Sequence, residues 1–180
     1  MARPVNRLHF GCGPLVVEGW MNADREPLNS AVYPADLLAL PFDDAEFDGA
    51  VGHHVLQAIP YPNVDDALLE LRRVLRPGAT LRVSVPDVVG AFDAYRSRNR
   101  HWPGFAAISE VTSVDDRFCQ YVVWGGHNRT VFTEKNLVER CLRVGFSTAR
   151  ATKAGKTFGA SWLTELDSRP GESIYVEAIA

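Results

Sequence analysis

Two hydrophobic periods take turns along the chain. VNRLHF (5–10) is a short apolar run ended by glycines, the pattern of a buried strand feeding a turn. GWMNAD (19–24) and FDGAVGHHV (47–55) read as two further strands, and ATLRVSVPD (79–87) as a fourth in which Leu81, Val83 and Val85 alternate until a proline stops them. Between the last two, NVDDALLELRRVLRPG (63–78) changes period: Val64, Leu68, Leu71 and Leu75 fall on one helical face. Asn63 is placed to cap that helix, with Asp65 and Asp66 at the positive end of its dipole. Arg72, Arg73 and Arg76 lie near the negative end, ahead of Pro77 and Gly78. A second helix is expected over TEKNLVERCLRVG (133–145), capped by Thr133 and ended by Gly145, with Leu137, Cys141 and Leu142 inward. FSTARA (146–151) follows as a strand. ESIYVEAIA (172–180) is the last, with Ile174, Val176 and Ala178 inward and polar residues outward.

Strand, helix, strand, helix, strand predicts an α/β fold around a mostly parallel sheet. Residues 88–132 follow neither period and hold eight of the eighteen Phe, Trp and Tyr residues. They read as a cap inserted into one domain spanning 1–180. An apolar content of 46% with 23% charged residues suits a single soluble domain with a substantial core.

A net charge of −3 lacks the basic surface that nucleic acid requires, so no nucleic-acid partner is expected. The local exception is YRSRNRHW (95–102), which reads either as a solvated helix end or as a grip on an anionic acceptor. Three cysteines, odd in number and far apart, make no disulfide framework and point to a reducing cytoplasm. No apolar run approaches a membrane span, and MARPVNRLHF has none of the length a signal peptide needs. No metal site is expected: His53 and His54 are adjacent and point apart, the other histidines are remote, and no cysteines pair.

Open α/β sheets bind ligands beyond the carboxyl ends of their strands. Here those positions hold Gly11 to Gly13, Asp24, Asp36, Gly52 to His54, and Asp87. The glycine turn resembles a dinucleotide corner, yet only ten residues separate Gly13 from Asp24, leaving no room for the usual helix. Pro14 has no amide, and Leu15, Val16 and Val17 are bulky, so the corner is poorly built for a pyrophosphate. A ligand with a ribose and a purine but no phosphate would not miss that helix.

The stretches LHFGCGP, EGWMNAD, DLLALPFDDAEFDGAVGHHVLQAI, LRRVLRPGATLRVSVPD, VFTEKNLVERCLRVGF and ESIYVEA together resemble the class I S-adenosylmethionine-dependent methyltransferases. The likeness is greatest to small members whose first motif reads GCGP…GWxNxD. The resemblance implies a Rossmann-like methyltransferase fold, mostly parallel, with helices on both faces and an antiparallel C-terminal strand. It implies S-adenosyl-L-methionine as cofactor and S-adenosyl-L-homocysteine as product. By position, Gly11, Cys12 and Gly13 would pass close to the cofactor, Asp24 would accept from both ribose hydroxyls, and Asp36 would take the adenine amine beside the Leu37 amide. Gly52 and His53 would lie under the methionyl end. The chain departs from the family pattern at His9, where an acidic residue is common, at Leu15, where a third glycine is common, and at VLQA (55–58), where Gln57 and Ala58 replace charged residues.

The expected partner is a small-molecule methyl acceptor, such as a sugar or natural-product hydroxyl, with no membrane partner. The aromatic stretch also suits a homodimer surface. An oxygen acceptor needs a base, and the candidates in order are His127, in WGGHNRTVF, then His54 and Asp87. Each has a plainer role open to it: holding a loop, packing a strand end, starting a turn. Two further classes remain open, a non-catalytic protein that binds the cofactor or a nucleoside, and a nucleotide-dependent oxidoreductase.

Overall fold

Seven strands pair into one sheet in the computed structural model, which describes residues 6–108 and 113–180. Val5 of the first expected strand and residues 109–112 of the expected cap lie outside the described residues. In chain order the strands are β1 (Arg7–Phe10), β2 (Met21–Asp24), β3 (Tyr33–Pro34), β4 (Phe47–His53), β5 (Leu75–Pro86), β6 (Thr148–Thr152) and β7 (Ser173–Ile179). The helices are α1 (Val64–Val74), α2 (Val88–Arg96), α3 (Pro103–Ala106), α4 (Val114–Val123) and α5 (Glu134–Arg143). The spatial order is β3-β2-β1-β4-β5-β7-β6. The first five strands run parallel, and β7 runs antiparallel to both β5 and β6. The fold is therefore Rossmann-like and mostly parallel with an antiparallel C-terminal strand. The order in which strands are added reverses between β1 and β4, which opens a crevice at their carboxyl ends.

Side-chain alternation in β5 separates two faces. Leu81, Val83 and Val85 join Leu68 and Leu71 of α1 and Leu137 and Cys141 of α5 in the main core. Thr80, Arg82 and Ser84 point to the other face. That face carries no long helix, because the ten-residue link from β1 to β2 has none. Val17 and Trp20 from that link, with Trp162, Leu163 and Leu166 from the β6–β7 connection, cover it instead. A Cβ on Gly49 would stand 2.5 Å from the Trp162 ring, so the glycine is what lets the indole lie on the sheet.

Polar bonds fasten this substitute layer. Arg82, fully buried, donates to Asp167 at 2.7 and 2.5 Å, to Glu177 at 2.6 Å, and to the carbonyls of Lys153 and Lys156. Tyr175 donates to the Ser168 carbonyl. In the β1–β2 link, Asn22 accepts from Val17 N–H at 3.0 Å and donates to the Val17 and Trp20 carbonyls. The same Asn22 oxygen is 3.2 Å from His9 Nδ1, which must carry the proton to donate there. His9 thus braces the helix-free link between β1 and β2.

Long-range pairing moved several elements from their expected places. The first helix stops at Val74, since Leu75 pairs with Phe47 and Arg76, Pro77 and Gly78 follow it into β5. Asn63 makes no side-chain cap; a 3-10 turn over Tyr61–Asn63 leads into α1 instead. Leu142 is 45% exposed on the outer side of α5. In β7 the residues expected outward, Tyr175 and Glu177, are buried, because the β6–β7 connection covers their side.

Residues 88–108 and 113–126 build a separate small core. Ala91 and Ala94 of α2, Phe105 of α3 and Tyr121 of α4 are buried together, with Trp102 edge-on to Phe105 and Tyr121 at 5.1 and 5.0 Å. Phe132 belongs to the main core instead. Arg96, Arg98 and Arg100 are exposed, and Arg98 pairs with Asp115 at 2.6 Å, so the basic stretch is a solvated helix end.

Candidate functional site

The glycine turn after β1 and the acid after β2 meet directly. Gly11 has φ +60°, and a Cβ there would come within 2.2 Å of Val55, so the turn needs glycine twice over. Gly13 N–H donates to Asp24 Oδ2 at 2.8 Å, and Glu26 N–H donates to Asp24 Oδ1 at 3.0 Å. Each carboxylate oxygen keeps an accepting direction free. Asp36 accepts from Leu38 N–H at 2.9 Å, turning the chain beyond β3. Asp24, Asp36 and Leu37 then line one cleft of about 360 Å³ with Ala58, Ile59 and His127.

Most of the amides a phosphate would need are engaged. Cys12 N–H goes to the Ala23 carbonyl, Gly13 N–H to Asp24, Leu15 N–H to the Cys12 carbonyl and Val17 N–H to Asn22. Pro14 has none.

A second cavity of about 260 Å³ adjoins the first, sharing Ala58 and His127. Its walls are His54, Gln57, Pro86, Tyr121, Trp124, Asn128 and Arg169 as well. Five non-glycine residues among those described have positive φ, and three line this cavity: His54 (+54°), Trp124 (+43°) and Arg169 (+56°). Strain of this kind costs on the order of 1–3 kcal/mol per residue and collects where function demands a particular geometry. The loop carrying His127 is tied down by Gln57, whose carbonyl accepts from Arg129 and Thr130 at 2.7 and 3.0 Å.

The remaining candidates are variously engaged. Gly52 packs against the Phe10 ring within the sheet. His53 turns to the face away from α1, with Nδ1 2.7 Å from Ser84 Oγ and Nε2 3.5 Å from Asp167. His54 holds Nε2 2.7 Å from Ser173 Oγ. Asp87 caps α2, accepting from Gly90 N–H at 2.9 Å. His127 is exposed, at the junction of the two cavities. Gln57 and Arg169 are wall residues that the sequence did not mark as functional: one lacks charge, and the other sits in a turn-like DSRPGE context.

Burial pulls the pKa of His53 down to about 4 and that of His54 to about 3, while in the unfolded chain both return to about 6.5. Between about pH 6.5 and 4 the unfolded chain therefore binds protons that the fold refuses, and stability falls as the pH falls. Urea midpoints should decline steadily across that window. Replacing His54 with Asn, which tolerates the same positive φ, should flatten the decline; a midpoint indifferent to pH there refutes the assignment. Glu70, held low by hydrogen bonds from Arg73, loses its contribution only below about pH 4.5.

Among the described residues no cluster of three or more His, Cys, Asp or Glu could hold a metal ion, and no helix is long and apolar enough to cross a membrane.

Residues 9–83, which run from β1 into β5, match a family described as a methyltransferase domain. A 2-phytyl-1,4-naphtoquinone methyltransferase of Synechocystis is 40% identical over 67 residues, which are 37% of this chain and 26% of that protein. The chain thus matches about a quarter of that relative's length. Among solved structures, a SAM-dependent methyltransferase from Thermotoga maritima superposes with a TM-score of 0.61 at 16% identity, covering 99% of this chain and 84% of that one. An S-adenosylmethionine-dependent methyltransferase from Mesorhizobium loti gives 0.58 at 16% identity, covering 98% and 91%. These likenesses establish the fold.

Proposed function

We propose that this protein is an S-adenosylmethionine-dependent methyltransferase acting on a small-molecule acceptor held in the cavity between the sheet and residues 88–132. The observation that carries the reading is the pairing of Asp24, with one accepting direction free on each oxygen, and a glycine turn most of whose amides are already engaged. A ribose diol fits such a carboxylate, and a pyrophosphate would find most of the turn's amides already engaged. The same observation disfavours a nicotinamide-dependent oxidoreductase.

The bound cofactor supplies a methyl group on a sulfonium, already activated for in-line displacement. The chain's own residues position and enclose. Asp24 would fix the ribose, Asp36 and the Leu37 amide the adenine, and Gly11 to Gly13 would admit the cofactor's backbone-side approach. Tyr121, Pro86 and Trp124 would exclude water from the acceptor and hold it near the methyl group. His127 is the best-placed base, since it faces both cavities, whereas His54 is neutral with its Nε2 engaged and Asp87 is committed to capping.

Purified protein should melt several degrees higher with S-adenosylmethionine or S-adenosylhomocysteine at saturating concentration and unchanged with NAD. Equal stabilisation by NAD overturns the proposal. His127→Ala should slow methyl transfer by about a hundredfold or more while leaving cofactor affinity within a few fold. Unchanged turnover removes His127 from the mechanism. A chain that binds cofactor yet methylates no metabolite across a broad panel would be a binding protein instead.

A further inference from the structure

Nine residues line the acceptor cavity, and only Arg169 among them carries a permanent charge. No carboxylate reaches the wall. Arg169 is held at φ +56° beside the Trp124 ring, its guanidinium carbon 5.6 Å from the ring centroid. Behind it, Glu172 accepts a single hydrogen bond from Nη1 at 3.3 Å, which fixes the guanidinium while leaving most of its five N–H groups for a ligand.

Opposite in kind is Gln57. The residue is 7% exposed, and its Nε2 donates to the His54 carbonyl at 2.6 Å, which settles the orientation of the amide. Its Oε1 is then a buried acceptor with no donor among the described residues. A buried acceptor left unsatisfied costs about 1–3 kcal/mol, which favours a small turn of the side chain toward a donor in the cavity that Gln57 lines.

We infer that the acceptor is a small planar anion, whose anionic group pairs with Arg169 and whose hydroxyl or amine donates to Gln57 Oε1. The inference rests on the methyltransferase reading for the cofactor cleft next door. A cavity of about 260 Å³ is at the small end of ligand pockets and has room for a single substituted ring. Trp124 and Tyr121 supply flat walls for such a ring. The arginines of YRSRNRHW play no part here, since they face solvent away from the cavity walls.

The test is calorimetry on the whole chain, first with S-adenosylhomocysteine and then, once saturated, with 4-hydroxybenzoate, 3-hydroxybenzoate and 4-aminobenzoate as probes. At least one should bind. Benzoate, without the donor, and the corresponding neutral benzamide should each bind about tenfold more weakly or worse. Arg169→Met should erase the preference for the anion over the amide and keep the preference for the donor; Gln57→Met should do the reverse. S-adenosylhomocysteine affinity and melting temperature report whether each variant is folded, and the native-chain comparison needs no variant. The inference is overturned if none of the three probes binds, if neutral and anionic forms bind alike, or if both variants keep both preferences. Failure to bind S-adenosylhomocysteine instead would overturn the methyltransferase reading, and this inference with it.

Discussion

Asp24→Ala should abolish the thermal shift that S-adenosylmethionine produces in the native chain. Two hydrogen bonds to a carboxylate contribute about 1.5–3 kcal/mol each, so losing both weakens binding by at least about a hundredfold. The same side chain also accepts from Gly13 N–H at 2.8 Å, so the substitution loosens the turn as well as the ribose site. Asp24→Asn is the milder change: its single carbonyl oxygen keeps one of the two backbone hydrogen bonds, from Gly13 or from Glu26, and cannot serve both hydroxyls, so it should bind with intermediate affinity. Measured by calorimetry and by melting temperature, an Asp24→Ala chain that keeps the full shift would place the nucleoside elsewhere.

The largest effect on stability is expected at Arg82, which has nothing to do with the ligand. It is fully buried between Asp167 and Glu177, both themselves buried. Arg82→Met leaves two carboxylates without their cation, and breaking a buried pair from one side costs about 3–5 kcal/mol. The pH dependence sharpens the expectation. Without the guanidinium the two acids resist ionisation in the fold, so the variant should recover part of its stability near pH 5 and lose it again as the pH rises. Urea midpoints for native and variant chains at about pH 5 and 8 decide this. A deficit that is the same at both would mean that packing, and not charge, is what Arg82 supplies.

How far the sequence could be read follows from how local each determinant is. Both ends of α5 were legible because their signals are local: Thr133 caps the start by accepting from Asn136 N–H three residues on, and Gly145 follows the last turn with φ +97°. The end of α1 was not, because Leu75 is claimed by Phe47, 28 residues earlier in the chain. Period-two alternation in ESIYVEAIA suggested one wet face, yet a later layer of irregular chain buries Tyr175 and Glu177. Asp24 and Asp36 could be picked out since each follows a strand, and strand ends converge in this kind of sheet. Gln57 and Arg169 could not. One became visible only as an amide oxygen with no donor, the other only as the single charge on a cavity wall. His9, a departure from the family pattern, found its explanation in Asn22, which could not be paired with it before the strands were placed side by side.

The β6–β7 connection lies over the face of the sheet opposite α1, and its anchors are far apart in sequence, Arg82 with Asp167 and Gly49 with Trp162. A nascent chain leaving the ribosome would therefore carry its nucleoside-facing half with one side bare until residues 153–172 emerged. Synthesis order and assembly order are at odds in this molecule, and a fragment ending at residue 83 would be a sheet without a roof.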